Sequence, residues 1–309
     1  MEYKTLGKTG LKVSRMGFGG IPIQKIEEEG TRKLLQDMVK RGINYIDSAR
    51  GYTVSEQYIG YGLEGIRDQF VLATKSMART KEAMTADIET SLRNFRTGYI
   101  DLYQVHNPSM EQLDQVIGEG GALEALPLDW VETIMFPYNI VEQQGAELIR
   151  RCGEKNIGFI DMKPLAGGAI EDGTLALRYV CSNPDVTITI PGMAEIRELE
   201  ENQKACENQE PLTKEEEEKI QAVRDQLGTD FCRRCNYCAP CSVGIQIPSV
   251  FLFAGYLQRY DLEQWARDRY STLKVKASAC IGCGKCEPRC PYHLPIREKL
   301  KICAADFGE

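Results

Sequence analysis

The chain has 309 residues, of which 42% are hydrophobic, so it is long enough for one large and one smaller domain with apolar cores. Its formal net charge of −7 argues against a nucleic-acid-binding protein, because phosphate binding needs a positive surface. The N-terminal segment Met1–Lys8 has no apolar signal core, and no stretch reaches the roughly 18 apolar residues of a membrane span, so we expect a cytoplasmic protein without membrane association.

Between residues 11 and about 205, short apolar segments alternate with amphipathic helical patterns such as Met84–Phe95, which is typical of a parallel α/β fold. Gly42 is expected to end the first helix as a C-cap residue. The alternation predicts a (β/α)8 TIM barrel, whose active site lies at the C-terminal ends of the strands. The predicted strands are Val13–Phe18, Asn44–Asp47, Phe70–Lys75, Ile100–Val105, Val131–Pro137, Ile157–Lys163 and Val186–Ile190.

These are seven strands, one fewer than the barrel needs. The stretch from Asn107 to Trp130 is long enough for one crossover but not for two helices with a strand between them. One βα unit is therefore expected to be missing after Gly120–Leu126, either because it has been lost or because this sequence is shorter than the natural chain. Four more helices are predicted at Glu195–Glu207, Thr213–Gln226, Val250–Leu257 and Leu262–Leu273.

Eight of the twelve cysteines lie in two runs near the C-terminus. The second run has the spacing C-x2-C-x2-C-x3-C-P of bacterial ferredoxins, in which the fourth cysteine binds the neighbouring cluster. The first run differs in its last spacing, and Ser242 stands where the second run has Pro291. Cross-ligation then predicts two [4Fe-4S] clusters, one bound by Cys232, Cys235, Cys238 and Cys290 and the other by Cys280, Cys283, Cys286 and Cys241.

Zinc and disulfides are the alternatives to clusters. Structural zinc usually takes two separated C-x2-C pairs, and disulfides are rare in a reducing cytoplasm, so the runs favour clusters. We therefore divide the chain into a barrel domain, residues 1–226, and a small α-helical 4Fe-4S ferredoxin-like domain, residues 227–309. The cysteines outside the runs are expected to be small buried apolar residues; they are Cys152, Cys181, Cys206 and Cys303.

Four candidate catalytic side chains stand at or just beyond the ends of three consecutive predicted strands: Asp47, Tyr52, Lys75 and His106. Hydride reduction of a carbonyl leaves negative charge on oxygen, so an acid must supply a proton, and Tyr52 is the candidate. A neighbouring Lys75 ammonium makes a phenol a stronger acid, and Asp47 would hold that ammonium in place. His106 would orient and polarise the carbonyl.

At these residues the sequence resembles the aldo-keto reductase family, in the segments Asn44–Tyr52, Ala73–Ser76 and Gln104–Asn107. The segments Leu6–Val13 and Gly17–Gly20 are similar to the family's N-terminal hairpin and first strand. Together with its cysteine runs, the chain most resembles the iron–sulfur branch of that family. The resemblance implies an NAD(P)-dependent oxidoreductase acting on a small carbonyl or alcohol, with the four residues in the roles given above.

The resemblance also implies the coenzyme contacts. The family binds its dinucleotide without a G-x-G-x-x-G fingerprint, and no such fingerprint is evident in this sequence. Tyr138 looks like the aromatic residue that stacks on the nicotinamide, and Ile190–Asn202 resembles the segment that binds the adenosine end. Within that segment the implied contacts are Gly192, Arg197, Glu201 and Asn202. The coenzyme is expected to be NADP(H) or NAD(H), and the resemblance favours NADP(H). Gly192 and Glu198 depart from that expectation, because many NADPH-dependent members have basic residues at these positions, although Arg197 is close by.

Carbonyl reduction by NAD(P)H needs no cluster. The clusters are therefore expected to transfer electrons, to sense redox state or to stabilise the fold, and electron transfer is favoured because two adjacent clusters form a conductive pair. A ferredoxin-like electron carrier is then an expected partner. The rival hypothesis is a non-catalytic or regulatory barrel that serves as an electron-transfer platform.

Overall fold

The computed structural model of the protein describes residues 1–108, 110–122 and 131–309. The chain forms two compact units, each built from three stretches. The first unit comprises residues 1–138, 144–164 and 173–211, and the second comprises residues 139–143, 165–172 and 212–309. Within the described ranges, none of the helices is long and apolar enough to cross a membrane.

The first unit begins with an antiparallel hairpin of β1 (Tyr3–Thr5) and β2 (Lys12–Ser14). The single strand expected at Val13–Phe18 is wrong, because the chain changes partner within it. The amide of Arg15 donates to Glu2 of the hairpin at 2.8 Å, whereas the amide of Gly17 donates to Thr189 of the parallel sheet at 2.9 Å. The hairpin strand therefore ends before the first parallel strand begins.

Seven parallel strands lie in the described part of the first unit, and they confirm the parallel α/β barrel architecture. They are β3 (Phe18–Gly19), β4 (Tyr45–Asp47), β5 (Val71–Ser76), β6 (Leu102–Val105), β7 (Thr133–Pro137), β8 (Gly158–Met162) and β9 (Ile188–Ile190). Ladders join β3 to β6 and β7 to β9 in chain order, and parallel bridges from Met16 to Thr189 and from Gly19 to Gly192 connect β9 to β3. The continuous order of the strands is therefore β7, β8, β9, β3, β4, β5 and β6.

The helices of the first unit follow the strands as an α/β fold requires. They are α1 (Glu28–Lys40), α2 (Ser55–Gly62), α3 (Lys81–Asn94), α4 (Met110–Ile117), α5 (Ala146–Lys155), α6 (Gly173–Cys181) and α7 (Ile196–Glu207). Gly42 follows the C-cap residue of α1 with φ = +70°, a left-handed conformation that glycine adopts without strain, as the sequence predicts.

The segment in which a βα unit is expected to be missing lies between β6 and β7, the two ends of the run of strands. One helix, α4, follows β6, and its Val116 packs in a buried cluster with Met84 of α3. Residue 109 and residues 123–130, which include part of Gly120–Leu126, lie outside the described residues. In the described chain, one crossover helix follows β6 and the parallel strands number seven, as predicted.

Strand alternation separates two apolar layers of the first unit. Phe159 of β8 packs with Ile149 of α5 and belongs to the layer between strands and helices. Its neighbour Ile160 packs with Leu6 and Ile188 and belongs to the layer enclosed by the strands. Every second residue of a strand therefore faces the interior of the barrel. This alternation decides which side chains can point into the barrel opening at the C-terminal ends of the strands.

The second unit contains four helices, three of which surround a small core. They are α8 (Lys214–Leu227), α9 (Ile247–Gln258), α10 (Glu263–Ser271) and α11 (Ile296–Phe307). The Thr213 hydroxyl accepts from the amide of Glu216, and the Glu216 carboxylate accepts from the amide of Thr213, a capping box that starts α8. Val250 of α9, Tyr270 of α10 and Leu300 of α11 share one buried cluster, to which cysteines of both runs belong.

Candidate active site and cluster sites

Asp47 and Lys75 form a buried ion pair at the C-terminal ends of β4 and β5. Asp47 is 3% exposed and Lys75 is 4% exposed. The Lys75 ammonium donates to Oδ2 of Asp47 and, at 2.7 Å, to the carbonyl of Ser48. The strands bring the pair together because Asp47 is in register with Ala73, and Lys75 is the next inward-facing residue of β5.

Tyr52 and His106 lie beside this pair. The Lys75 ammonium is 5.0 Å from the centroid of the Tyr52 ring. The rings of Tyr52 and His106 meet edge to face, with centroids 6.0 Å apart and an interplanar angle of 87°. The amide of His106 donates to the carbonyl of Ser76 at 2.8 Å, which fixes the backbone just beyond β6. The structure thus brings all four predicted catalytic residues to one end of the barrel.

Burial raises the pKa of the Asp47 carboxyl above its usual range, and the Lys75 ammonium and the Gln104 amide oppose that shift. Gln104 donates to Oδ1 of Asp47 at 3.3 Å, so each carboxylate oxygen has a donor. Neither Gln104 nor the Ser48 carbonyl is among the site residues predicted from the sequence. Gln104 could have been found from the strand register, since it is paired with Lys75 and faces inward like that residue.

A buried hydrogen-bond network around Glu56 holds the loop that carries Tyr52. Glu56 is also not among the residues predicted from the sequence. Glu56 is 1% exposed and accepts from Arg50 at 2.5 Å. It also accepts from Thr74 of β5 at 2.9 Å and from Ser91 of α3 at 2.8 Å. Glu56 therefore ties the start of α2 to the neighbouring strand and helix, and Arg50 extends that tie into the loop.

The structure places Tyr138, the predicted nicotinamide-stacking residue, in the apolar layer between strands and helices. Its ring is 7% exposed, packs among the residues between strands and helices, and stacks on Tyr179 of α6 with centroids 5.5 Å apart. The physical reason is strand parity, because Tyr138 continues the outward-facing series of Ile134 and Phe136. Counting alternate positions along the predicted strand would have revealed this orientation.

The segment after β9 forms α7, whose first turn is acidic. Arg197 is exposed and pairs with Glu201 at 3.2 Å, while Asn202 is buried at 9% exposure. The Glu198 carboxylate accepts from the amides of Ala194 and Glu195 and closes a capping box. A side chain is also excluded at Gly192, because a Cβ there would lie 2.7 Å from the Pro22 ring. The segment from Ile190 to Asn202 thus has one cation, Arg197, and that cation is paired with a carboxylate.

The eight cysteines of the two runs line two cavities in the second unit. One cavity, of about 310 Å³ including space open to solvent, is lined by Cys232, Cys235, Cys238 and Cys290. The other, of about 340 Å³ measured in the same way, is lined by Cys241, Cys280, Cys283 and Cys286. We call them the first and the second cavity. Each cavity combines three cysteines of one run with the fourth cysteine of the other run.

The arrangement of four thiols around each cavity fits a four-iron cluster. In the described chain, no three His, Cys, Asp or Glu side chains lie close enough together to hold one metal ion. A zinc ion draws its sulfur ligands to within ~2.3 Å of one point, whereas a four-iron cluster separates its four thiolates around its own volume. Four cysteines that surround a cavity are the donor set that a [4Fe-4S] cluster needs.

The cysteines outside the runs are mostly enclosed. Cys152, Cys206 and Cys303 are buried, and Cys181 is half-buried. Burial raises the pKa of the Cys303 thiol to about 11, so this thiol stays protonated at neutral pH. Cys303 belongs to the apolar core of the second unit, as expected for a small buried residue.

Comparisons with known proteins agree with this geometry. The Aldo/keto reductase family matches residues 15–127, and a 4Fe-4S dicluster domain matches residues 231–295. L-galactose dehydrogenase of Arabidopsis thaliana is 26% identical over 293 residues, covering 70% of this chain and 92% of that protein. Aldo-keto reductase YhdN of Bacillus subtilis is 29% identical over 196 residues, covering 50% of this chain and 59% of that protein.

Solved structures show the same relationship. The apo form of an aldo-keto reductase from Bacillus halodurans superposes with a TM-score of 0.56 at 26% identity, covering 72% of this chain and 96% of that chain. With the barrel, the residues at its C-terminal end and the two cysteine-lined cavities, these matches give one conclusion. The chain therefore carries an Aldo/keto reductase domain, matched over residues 15–127, and a 4Fe-4S dicluster domain, matched over residues 231–295, and its relatives include aldo-keto reductases.

Proposed function

We propose that the barrel catalyses hydride transfer between NAD(P)H and a small aldehyde or ketone, or the reverse reaction on the alcohol, with Tyr52 as general acid. The observation that carries this proposal is the meeting of the Tyr52 ring, the Lys75 ammonium and the His106 ring at the C-terminal strand ends. Bound coenzyme supplies the hydride. The protein's own residues then have to deliver one proton to the substrate oxygen.

Each of the four residues has a distinct part in that proton delivery. Tyr52 donates the proton, and the nearby Lys75 ammonium stabilises the phenolate that remains. Asp47 keeps the ammonium in position by the buried ion pair. His106, packed against the Tyr52 ring, orients the carbonyl and polarises it by a hydrogen bond.

Substitution of Tyr52 by Phe tests this proposal directly. Losing a positioned general acid costs about 10² to 10⁴ in rate, so NAD(P)H oxidation with a responsive carbonyl should fall by that factor. Tyr61→Phe is the matched control, since Tyr61 lies on α2 and bonds Glu29 at the surface. Full activity in Tyr52→Phe would contradict the acid assignment. No turnover by the unmodified protein over a broad panel of aldehydes and ketones would favour the non-catalytic electron-transfer platform.

For the coenzyme we propose NAD(H) rather than the NADP(H) favoured by resemblance. The adenosine-binding segment would be Gly192, Arg197, Glu201 and Asn202. A 2′-phosphate there would meet the carboxylates of the first turns of α7, and the Arg197 guanidinium is already paired with Glu201. Like charge opposes phosphate binding, and a missing charge-assisted bond of about 1.5–3 kcal/mol changes preference by tenfold or more.

Kinetics with both coenzymes test this preference. The ratio of kcat/KM should favour NADH, and Glu195→Gln with Glu201→Gln should shift the ratio toward NADPH by freeing Arg197 from both carboxylates. Glu200→Gln is the matched control, because Glu200 pairs with Arg41 rather than Arg197. A strong NADPH preference in the unmodified protein would refute the proposal.

For the small domain, residues 227–309, we propose two [4Fe-4S] clusters that exchange electrons with a ferredoxin-like carrier in a reducing cytoplasm. The four cysteines of each cavity would be the ligands. Cys290→Ala should lower the iron and sulfide content to about that of one cluster, because the first cavity loses a ligand. Cys303→Ala, which removes a thiol from the core outside both cavities, should keep both clusters. Zinc without sulfide in the anaerobically purified protein would end this proposal.

A further inference from the structure

The two cavities differ at the residue that follows the fourth cysteine of each run. Cys241 and Cys290 are the two fourth cysteines, and each lines the cavity of the other run. Ser242 follows Cys241, whereas Pro291 follows Cys290. At the position after the fourth cysteine, one run thus has a hydroxyl group, which lines the second cavity, whereas the other run has a proline, which has no donor hydrogen.

The Ser242 hydroxyl lies within hydrogen-bond distance of a cysteine sulfur. Its Oγ is 3.5 Å from Sγ of Cys283, the second cysteine of its run. In the apoprotein either atom can be the donor. Once Cys283 is a thiolate bound to iron it has no proton, so Ser242 must donate. Ser242 is therefore placed to stabilise negative charge on this sulfur.

The two cavities also differ in the positive charge of the side chains that line them, and the second cavity has more of it. Lys285, Arg289 and Arg297 line the second cavity, and Arg297 is neutralised by Glu287 at 2.7 Å. Two cations, Lys285 and Arg289, remain there, and the Arg289 guanidinium donates to the carbonyls of Lys285, Ala239 and Pro240. The first cavity is lined by one cation, Arg233, whose guanidinium donates to the carbonyls of Val141, Gly228 and Phe231.

Hydrogen bonds to sulfur and nearby positive charge both favour the reduced form of a cluster, because reduction adds one negative charge. From these contacts we infer that the cluster of the second cavity is the more easily reduced of the pair, and that Ser242 is the residue that tunes its potential. Electrons entering the pair then come to rest on the cluster of the second cavity. The inference rests on the proposed pair of clusters and deepens it.

An anaerobic redox titration of the cluster-loaded full chain, followed by electron paramagnetic resonance, tests this inference. The unmodified protein should show two one-electron couples. Ser242→Ala should make the more easily reduced couple harder to reduce by about three- to tenfold in its equilibrium constant, where tenfold corresponds to about 59 mV. Ser242→Thr keeps the hydroxyl and should keep the potential. Ser271→Ala, at the end of α10 and outside the lining of both cavities, is the matched control.

Pro291→Ser is the reciprocal variant and keeps the inference testable if Ser242→Ala assembles poorly. It supplies a hydroxyl at the position equivalent to Ser242. We expect it to raise only the reduction potential of the cluster in the first cavity, which decreases the difference between the two potentials. The inference is overturned if Ser242→Ala moves neither couple or moves the lower one, or if Pro291→Ser leaves the gap unchanged. An unmodified protein without the iron and sulfide of two [4Fe-4S] clusters would instead refute the proposed cofactors.

Discussion

Removing the Lys75 ammonium should destabilise the barrel strongly, because it leaves the Asp47 carboxylate buried without its cation. With Asp47 3% and Lys75 4% exposed, solvent screens this pair little, unlike a surface salt bridge. Breaking a buried ion pair on one side costs about 3–5 kcal/mol of unfolding free energy, which is the loss expected for Lys75→Met. The double variant Asp47→Asn with Lys75→Met should lose less than the sum of the two single variants.

The loss of unfolding free energy in Lys75→Met should also depend on pH. The ionisation of Asp47 decides whether the loss grows or shrinks as the pH rises. Burial raises the pKa of Asp47, and Lys75 is the main group opposing that rise. Below about pH 4 the carboxyl is protonated in both the folded and the unfolded variant, so the deficit is smallest there. As pH rises, the unfolded state releases the proton first, so stability falls until the pH passes the raised pKa of the folded state.

Urea unfolding of the cluster-loaded full chain, kept anaerobic and followed by far-ultraviolet circular dichroism, measures the deficit. Cluster absorbance followed in parallel distinguishes unfolding of the second unit from that of the first. A deficit below about 1 kcal/mol, equal at pH 5 and pH 8, would be the behaviour of a solvent-screened surface pair. That result would refute the buried ion pair and, with it, the proposed stabilisation of the Tyr52 phenolate.

Three further changes test other parts of the structure. Arg234→Met leaves Glu142, which is 0% exposed, without its cation, so the second unit should lose about 3–5 kcal/mol, measured as a lower urea midpoint for loss of cluster absorbance. Gly60→Ala places a Cβ 2.7 Å from Cα of Phe95, and the resulting overlap of backbone with side chain should cost the first unit about 1–3 kcal/mol, measured as a lower midpoint by circular dichroism. Thr213→Ala removes the N-cap of α8 and should cost about 1 kcal/mol, detected as faster hydrogen exchange in the first turn of that helix.

The grouping of the candidate catalytic residues was predictable because parallel strands bring their C-terminal ends to one edge, so a residue can be placed from its strand alone. Asp47, Lys75 and His106 needed only the order of the strands. The grouping of the cysteines was similarly accessible from spacing, since the ferredoxin pattern assigns the fourth cysteine of each run to the other cluster.

Other features depend on contacts that no local pattern contains. The partner change between Arg15 and Gly17 is set by hydrogen bonds to Glu2 and Thr189, which are far apart in sequence. The orientation of Tyr138 was accessible from parity, but an aromatic residue at a strand end suggests a binding role more readily than a core role. The network of Glu56 joins a helix, a strand and a second helix, so its members become related only when the barrel is formed.

The second unit takes in two short stretches, residues 139–143 and 165–172, that follow β7 and β8 along the chain. Arg224 and Arg233 donate to the carbonyls of Ile140 and Val141 in the earlier stretch, and Arg259 donates to Gly167 in the later one. A proteolytic cut after residue 211 would therefore not release the complete second unit, because both stretches would remain with the other fragment. Exchanging this tail between relatives would require both stretches to be transplanted with it.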